Sequence, residues 1–241
     1  MGLAPRTKIG RRGDELVVQT QRTFIRRNAE APPPFLLDRM RELVDKANEV
    51  ASLESLLGLE GTAARFYFEA FGPLFRANAA GGPRLGFDFE GRNRRPPKDP
   101  INALLSLGYA LLTKDVLITL LGVGFDPYLG FFHQPRYGRP ALALDVMEEF
   151  RPLIVDSVVV SAVNTGVVQA DDFVRRGGAV ALTTAGRGKF IRAYERRMDE
   201  EVTHPVFGYR VSYRRILEVQ ARLLARFLSG ELPEYPPFAT R

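Results

Sequence analysis

The stretch from Pro100 to about Leu121 constrains the fold of this chain more than any other. Asp99-Pro100 is a strong helix start: the aspartate caps free amides, and proline at the first helical position gives up no hydrogen bond. The helix that follows is apolar on nearly all faces, so it is expected at the centre of the fold. The apolar run Ile101–Val123 approaches membrane-spanning length, but Lys114-Asp115 interrupts it, and a buried core helix accounts for it better. With 241 residues around it, the chain can bury a sizeable core as one large or two small domains.

Helical spacing recurs on both sides of this segment. Leu36, Leu37, Met40, Leu43 and Val44 form one stripe. Ser52 offers an N-cap for a short turn ending near Gly58, and a second helical run is expected from Glu60 to Phe75. Ala79–Gly82 reads as a loop. Pro140 opens a long helix over Ala141–Val163, broken or kinked at Pro152. Ala170–Arg176 reads as a short helix, Ala179–Leu182 as a strand, and Thr184–Glu201 and Ser212–Ser229 as amphipathic helices. Residues 1–34 are basic and polar and end in Pro32-Pro33-Pro34. Within them Glu15–Thr20 is β-prone and is expected to be the last strand of a domain whose earlier part is absent.

Composition excludes several chemistries. No cysteine is present, which removes disulfides, zinc–thiolate sites and cysteine nucleophiles. No Gly-rich phosphate loop ending in Lys-Ser or Lys-Thr occurs, and no Gly-x-Ser-x-Gly turn. Met1–Arg12 lacks the apolar stretch of a signal peptide, so a cytoplasmic protein is the expectation. The net charge is +6, carried almost wholly by arginine, with Lys8, Lys46, Lys98, Lys114 and Lys189 as the only lysines. Arginine forks match phosphate oxygens. The same bias also follows from a GC-rich genome.

The residues with catalytic chemistry are few. His133 lies in a loop, Phe-Phe-His-Gln-Pro-Arg-Tyr-Gly-Arg-Pro, with Asp145 twelve residues later and Glu148 three beyond that. Positions three apart share a helix face, so Asp145 and Glu148 present two carboxylates to one spot. Like charges that close are costly unless a proton or cation offsets them. Imidazole plus carboxylates suits manganese or magnesium. A solvated acidic turn capped by the histidine, with Glu149 and Arg151 available for ion pairs, fits the same spacing. Glu60 stands before the small residues Gly61-Thr-Ala-Ala, although a helix dipole also favours glutamate in a first turn. Arg92, Arg94 and Arg95 belong to a basic run that Arg84, Arg136 and Arg139 could join around phosphates, or that stays a solvated loop.

Four motifs occur together in a recognisable order. Leu-Leu-Gly-Leu-Glu60-Gly-Thr-Ala-Ala-Arg-Phe-Tyr-Phe resembles the first metal-binding motif of the CRISPR-associated endonuclease family Cas one. Arg94-Arg-Pro-Pro-Lys-Asp-Pro-Ile-Asn102 through Ser106 to Tyr109 resembles its central helix. Gly130-Phe-Phe-His133 through Asp145 and Glu148 to Asp156 resembles its histidine and acidic motifs, and Tyr213-Arg-Arg through Tyr235-Pro-Pro-Phe is also similar.

The resemblance covers residues 15–238. It implies a mainly α fold: the helical catalytic lobe of a spacer-acquisition integrase, with short β elements near the ends. Residues 1–34 would be the remnant of an N-terminal β-domain and its linker, and 35–241 the catalytic domain. It implies Glu60, His133 and Glu148 as ligands of Mg²⁺ or Mn²⁺, with Asp145 acting beside them. It implies DNA contacts from Arg84, Arg92, Arg94, Arg95, Arg136 and Arg139, and transesterification inserting short foreign DNA into a CRISPR array. The implied partners are double-stranded DNA (prespacer and repeat), a second copy of the chain, and the small protein Cas two; no membrane is involved. A rival is a non-catalytic DNA-binding scaffold of the same complex, and another is a plain metal-dependent nuclease.

Overall fold

The structure, a computed structural model, describes residues 5–47, 49, 52–75, 87–93, 95–134 and 136–238, with residues 5–16 and 53 by backbone alone. The expected loop at Ala79–Gly82, and Arg84 and Arg94, lie outside the described residues. Architecture is mainly helical with short antiparallel hairpins.

Helices α1 (Pro5–Asn28), α2 (Pro34–Ala47) and α3 (Leu53–Glu69) pack on one another. The β-prone run Glu15–Thr20 lies inside α1, not in a strand. Val17, Val18, Gln21, Phe24 and Ile25 are buried, and their spacing is helical. Burial against two helices outweighs a β preference whose whole scale spans about 1 kcal/mol. Phe24 meets the rings of Tyr67 and Phe71 of α3 with centroids 6.4 and 6.3 Å apart. Ser52 caps α3 by accepting the Ser55 N–H at 3.1 Å. The helix then runs unbroken through Gly58 and Gly61, so the expected separate turn is absent. Glu60 sits mid-helix, and the first-turn dipole no longer explains it.

Helix α4 (Pro100–Val123) begins as expected, with the Asp99 carboxylate accepting the Asn102 N–H at 2.7 Å, and ends on Gly124 with φ 102°. Its first turns are buried on all sides. From Gly108 onward it buries only the stripe Gly108, Leu112, Val116 and Leu120, while Ile118 and Leu121 are more than half exposed. By length and composition α4 could cross a membrane. Here it packs against two later helices, α5 (Ala141–Met147) and α8 (Tyr213–Leu228). Gly108 permits a close approach to the later 152–156 segment: a Cβ there would stand 2.5 Å from Val155 Cγ1.

The long helix expected over 141–163 is interrupted around Pro152, as its missing amide requires. Helix α5 gives way to turns, then to a π-helical turn, Pro152–Asp156, and to α6 (Ser157–Asn164). The Asp156 N–H bonds Arg151 O at 3.1 Å, the wide five-residue spacing that inserts a residue into a helix.

The helix expected at Ala170–Arg176 is one short 3₁₀ turn followed by strand β1 (Phe173–Arg176), paired antiparallel with β2 (Ala179–Leu182). Gly177 and Gly178 both have positive φ, the two-residue hairpin turn that holds the chain out of a helix. After α7 (Thr184–Asp199), strands β3 (Glu201–Thr203) and β4 (Arg210–Ser212) form a second hairpin leading into α8. The tail returns to the core, where Phe238 is fully buried and stacks on Phe150 at 5.8 Å.

Candidate active site

His133 is positioned by a carboxylate. Asp145, on α5, accepts the N–H groups of Phe131 and Phe132 on Oδ2, at 2.7 and 3.0 Å. Its Oδ1 accepts the His133 N–H at 2.8 Å and the ring Nδ1 at 2.7 Å. The Asp145 side chain is fully buried, and that of His133 is 19% exposed. With the proton on Nδ1 facing Asp145, Nε2 carries the lone pair. Gly130 makes this turn possible. A Cβ there would lie 2.7 Å from Ala141 Cβ and 2.8 Å from both Asp145 Oδ2 and His133 O.

Glu148 follows Asp145 on the same helix, its backbone still helical. Its side chain is 17% exposed. Oε1 takes an Arg151 Nη1 hydrogen bond at 3.4 Å, while Oε2, 3.1 Å from the same nitrogen, is buried and accepts no hydrogen bond. Arg151 lies over the Tyr109 ring at 5.4 Å. Behind it, the hydroxyls of Tyr67 and Tyr109 each donate to Asp156, both at 2.6 Å. Burial pushes the Asp156 carboxyl up to about 6, against the lowering effects of Arg151 and the two tyrosines. Burial would lower the Arg151 pKa, but the charge of Glu148, with Tyr109, Asp156 and Tyr67, holds it above its ordinary value.

Glu60 belongs to the inward face of α3. It is half-buried and shares that face with Leu56, Ala63 and Tyr67, all buried, at offsets of four, three and seven residues. Leu56 packs on Phe132, and neighbouring Leu59 joins the same cluster. Tyr67 reaches Asp156. Helix α3 thus runs from the His133 loop to the Asp156 end of the network.

The arginines separate. Arg92 is tied to the start of α4: Nη1 donates to Asn102 Oδ1 at 2.7 Å and to Asn93 O, Nη2 donates to Ser106 Oγ at 3.3 Å, and the guanidinium lies over Tyr109 at 5.4 Å. Arg95 is exposed. Arg136 and Arg139 bracket a tight turn, closed by the Arg139 N–H on Arg136 O at 2.9 Å, with Tyr137 fully exposed at its tip. The second histidine, His204, is a core residue under the β3–β4 hairpin, 4.8 Å from the Phe207 ring and 5.6 Å from that of Phe238.

Sequence reasoning named Glu60, His133, Asp145 and Glu148, and gave Arg151 only as an ion-pair candidate in the alternative reading of that acidic turn; it did not single out Tyr67, Tyr109, Asp156 or Gly130 for the site. Two signals were available: Arg151 lies three residues beyond Glu148, and Tyr67 two helical turns beyond Glu60.

Among the described residues no three histidine, aspartate or glutamate side chains converge to hold one ion. Two donors suit Mg²⁺ or Mn²⁺ in kind: the Nε2 lone pair of His133 and the orphaned Oε2 of Glu148. Asp145 does not, because both of its oxygens are taken by the 131–133 segment. Its place is behind the imidazole.

Residues 6–196 match the family model described as CRISPR associated protein Cas1. A CRISPR-associated exonuclease Cas4/endonuclease Cas1 fusion from Geobacter sulfurreducens is 55% identical over 227 residues, which cover 91% of this chain and 40% of that protein. The chain therefore spans well under half the length of that relative. Among solved structures, a casposase bound to integration product aligns with a TM-score of 0.80 and 25% identity, covering 95% of this chain and 62% of the other. A Cas6-RT-Cas1–Cas2 complex aligns with a TM-score of 0.79 and 26% identity, covering 98% and 25%. On this family match and this fold, the chain belongs to the Cas1 family of CRISPR-associated proteins.

Proposed function

We propose that this chain carries the catalytic centre of a CRISPR-adaptation integrase, which joins the 3′-hydroxyl of a short foreign DNA to a phosphate at a repeat boundary by transesterification. The observation that carries this reading is the Asp145–His133 unit, one helical turn from the unsatisfied oxygen of Glu148. Glu60, His133 and Glu148 would hold Mg²⁺ or Mn²⁺, which when bound supplies polarisation of the phosphate and charge neutralisation at the leaving oxygen. Asp145 keeps the imidazole proton on Nδ1 and the ring oriented. Exposed Arg95 and Arg136, with Arg139, seat the phosphodiester backbone, a contact that positions DNA without reading its sequence.

The substrates proposed are double-stranded prespacer DNA and the CRISPR repeat. The proposed partners are a second copy of the chain and Cas2, and the proposed setting is the cytoplasm. Similarity to a casposase bound to an integration product and to a complex containing Cas2 supports the DNA substrate and the Cas2 partner.

A second reading is a DNA-binding scaffold without chemistry. It is favoured by the lack of three converging donors among the described residues. The test mixes the chain with Mn²⁺, Cas2, a prespacer and a repeat-bearing plasmid. Strand-joined products that vanish with His133→Ala support the integrase. Products that persist in that variant overturn the ligand assignment, and salt-sensitive DNA binding without products favours the scaffold.

A further inference from the structure

We infer that Arg151 is the resident counter-ion of Glu148, a positioning residue that a divalent cation must displace before Glu148 can ligate it. This inference rests on the metal-site reading above.

The Arg151–Glu148 pair is buried, with side-chain exposures of 8% and 17%. Buried ion pairs persist when hydrogen bonds satisfy every remaining donor and lone pair. This one is half satisfied: Glu148 Oε2 and Arg151 Nε are both buried without a hydrogen-bond partner. One guanidinium nitrogen serves both carboxylate oxygens, at 3.4 and 3.1 Å, instead of the two-pronged fork that arginine makes with a permanent partner. The arginine has other support. The Tyr109 ring lies under it, and Asp156, fixed by two tyrosine hydroxyls, offsets its charge from behind. It can therefore release Glu148 without becoming an isolated buried cation.

The consequence is a trade. Arg151 holds the Glu148 carboxylate through one guanidinium nitrogen that reaches both of its oxygens. The same positive charge, 3.1 Å from the Glu148 oxygen that accepts no hydrogen bond, repels an arriving cation. Exchange is also the step that lets Glu148 leave its present rotamer and turn towards the other donors, which do not converge in the arrangement described.

The experiment is an NMR titration of the full chain with Mg²⁺. It follows the Arg151 Nε–Hε side-chain signal, assigned by its loss in Arg151→Lys, and the His133 ring signals. Both moving together is the expected result. His133 shifting while Arg151 stays fixed overturns the exchange and leaves the metal site standing. Neither moving overturns both. A second measurement is Mn²⁺ affinity. Arg151→Gln should bind roughly threefold to tenfold tighter than wild type, since a like charge is removed from a partly screened site, and Arg151→Lys should stay near wild type. Equal or weaker binding by Arg151→Gln counts against the inference, and the titration of the wild-type chain decides it if that variant does not fold.

Discussion

Asp145 Oδ1 holds His133 twice, by its backbone N–H at 2.8 Å and by its ring Nδ1 at 2.7 Å. One buried oxygen therefore fixes both the position of the loop and the tautomer of the imidazole. Asp145→Asn must offer an N–H where an acceptor is required. Outer partners of a ligating histidine typically contribute 10–100-fold to metal affinity, so Mn²⁺ binding should weaken by about that factor. Calorimetric titration of the variant checks this. An affinity equal to wild type would assign the orientation of His133 to something other than Asp145.

Gly130 should be nearly as sensitive although it carries no functional group. In Gly130→Ala the new methyl meets Ala141 Cβ, Asp145 Oδ2 and His133 O, all within 2.8 Å. The first and last cannot swing away, so the 130–133 segment must shift. Thermal unfolding should show a loss of about 1–3 kcal/mol, the usual cost of overpacking. Mn²⁺ binding should fall with it.

The approach of α4 to the π-helical turn can be tested by compensation. Gly108→Ala alone should destabilise by roughly 1–3 kcal/mol through the contact at 2.5 Å with Val155 Cγ1. Adding Val155→Ala removes the obstructing methyl and should recover part of that loss, because the two sites touch and cannot act additively. Purely additive losses in denaturant unfolding would place the strain elsewhere.

Asp156 carries a pH signature that denaturation can read. Burial raises its carboxyl from 3.8 to about 6 in the folded chain. A group raised in this way contributes stability that is fully present below its unfolded value and lost as pH rises through the folded one. The window is therefore about pH 4 to 6, and the loss is on the order of 3 kcal/mol. Asp156→Asn has no proton to lose, so its stability should decline less than wild type across that window. Denaturant melts at successive pH values measure the difference, and parallel curves would mean that Asp156 does not titrate as described.

Much of this architecture was legible in the residues themselves. Asp99-Pro100 placed the start of α4 because capping and proline geometry are local. Pro152 marked the break in the helix after α5 because a missing amide acts wherever it stands. Among the readings that failed, one was decided by packing partners and another by a turn just beyond the segment. Glu15–Thr20 carries β-prone valines, yet α2 and α3 bury them at helical spacing. Ala170–Arg176 looked helical, but two glycines with positive φ turned it into a hairpin.

The site divides in the same way. Spacing along one helix set Asp145 and Glu148 on a shared face, and the sequence motifs singled out His133 and Glu60. Only the folded chain gave Asp145 its role behind the imidazole, placed Arg151 against Glu148, and brought Tyr67 from 89 residues away onto Asp156. The sequence by itself determined periodicity, caps, breaks and the chemical types of the donors, all of which depend on a few neighbouring residues. The tertiary structure decided which donors are already satisfied. Hydrogen bonding and charge compensation between distant segments depend on distances of a few ångströms that no local pattern encodes.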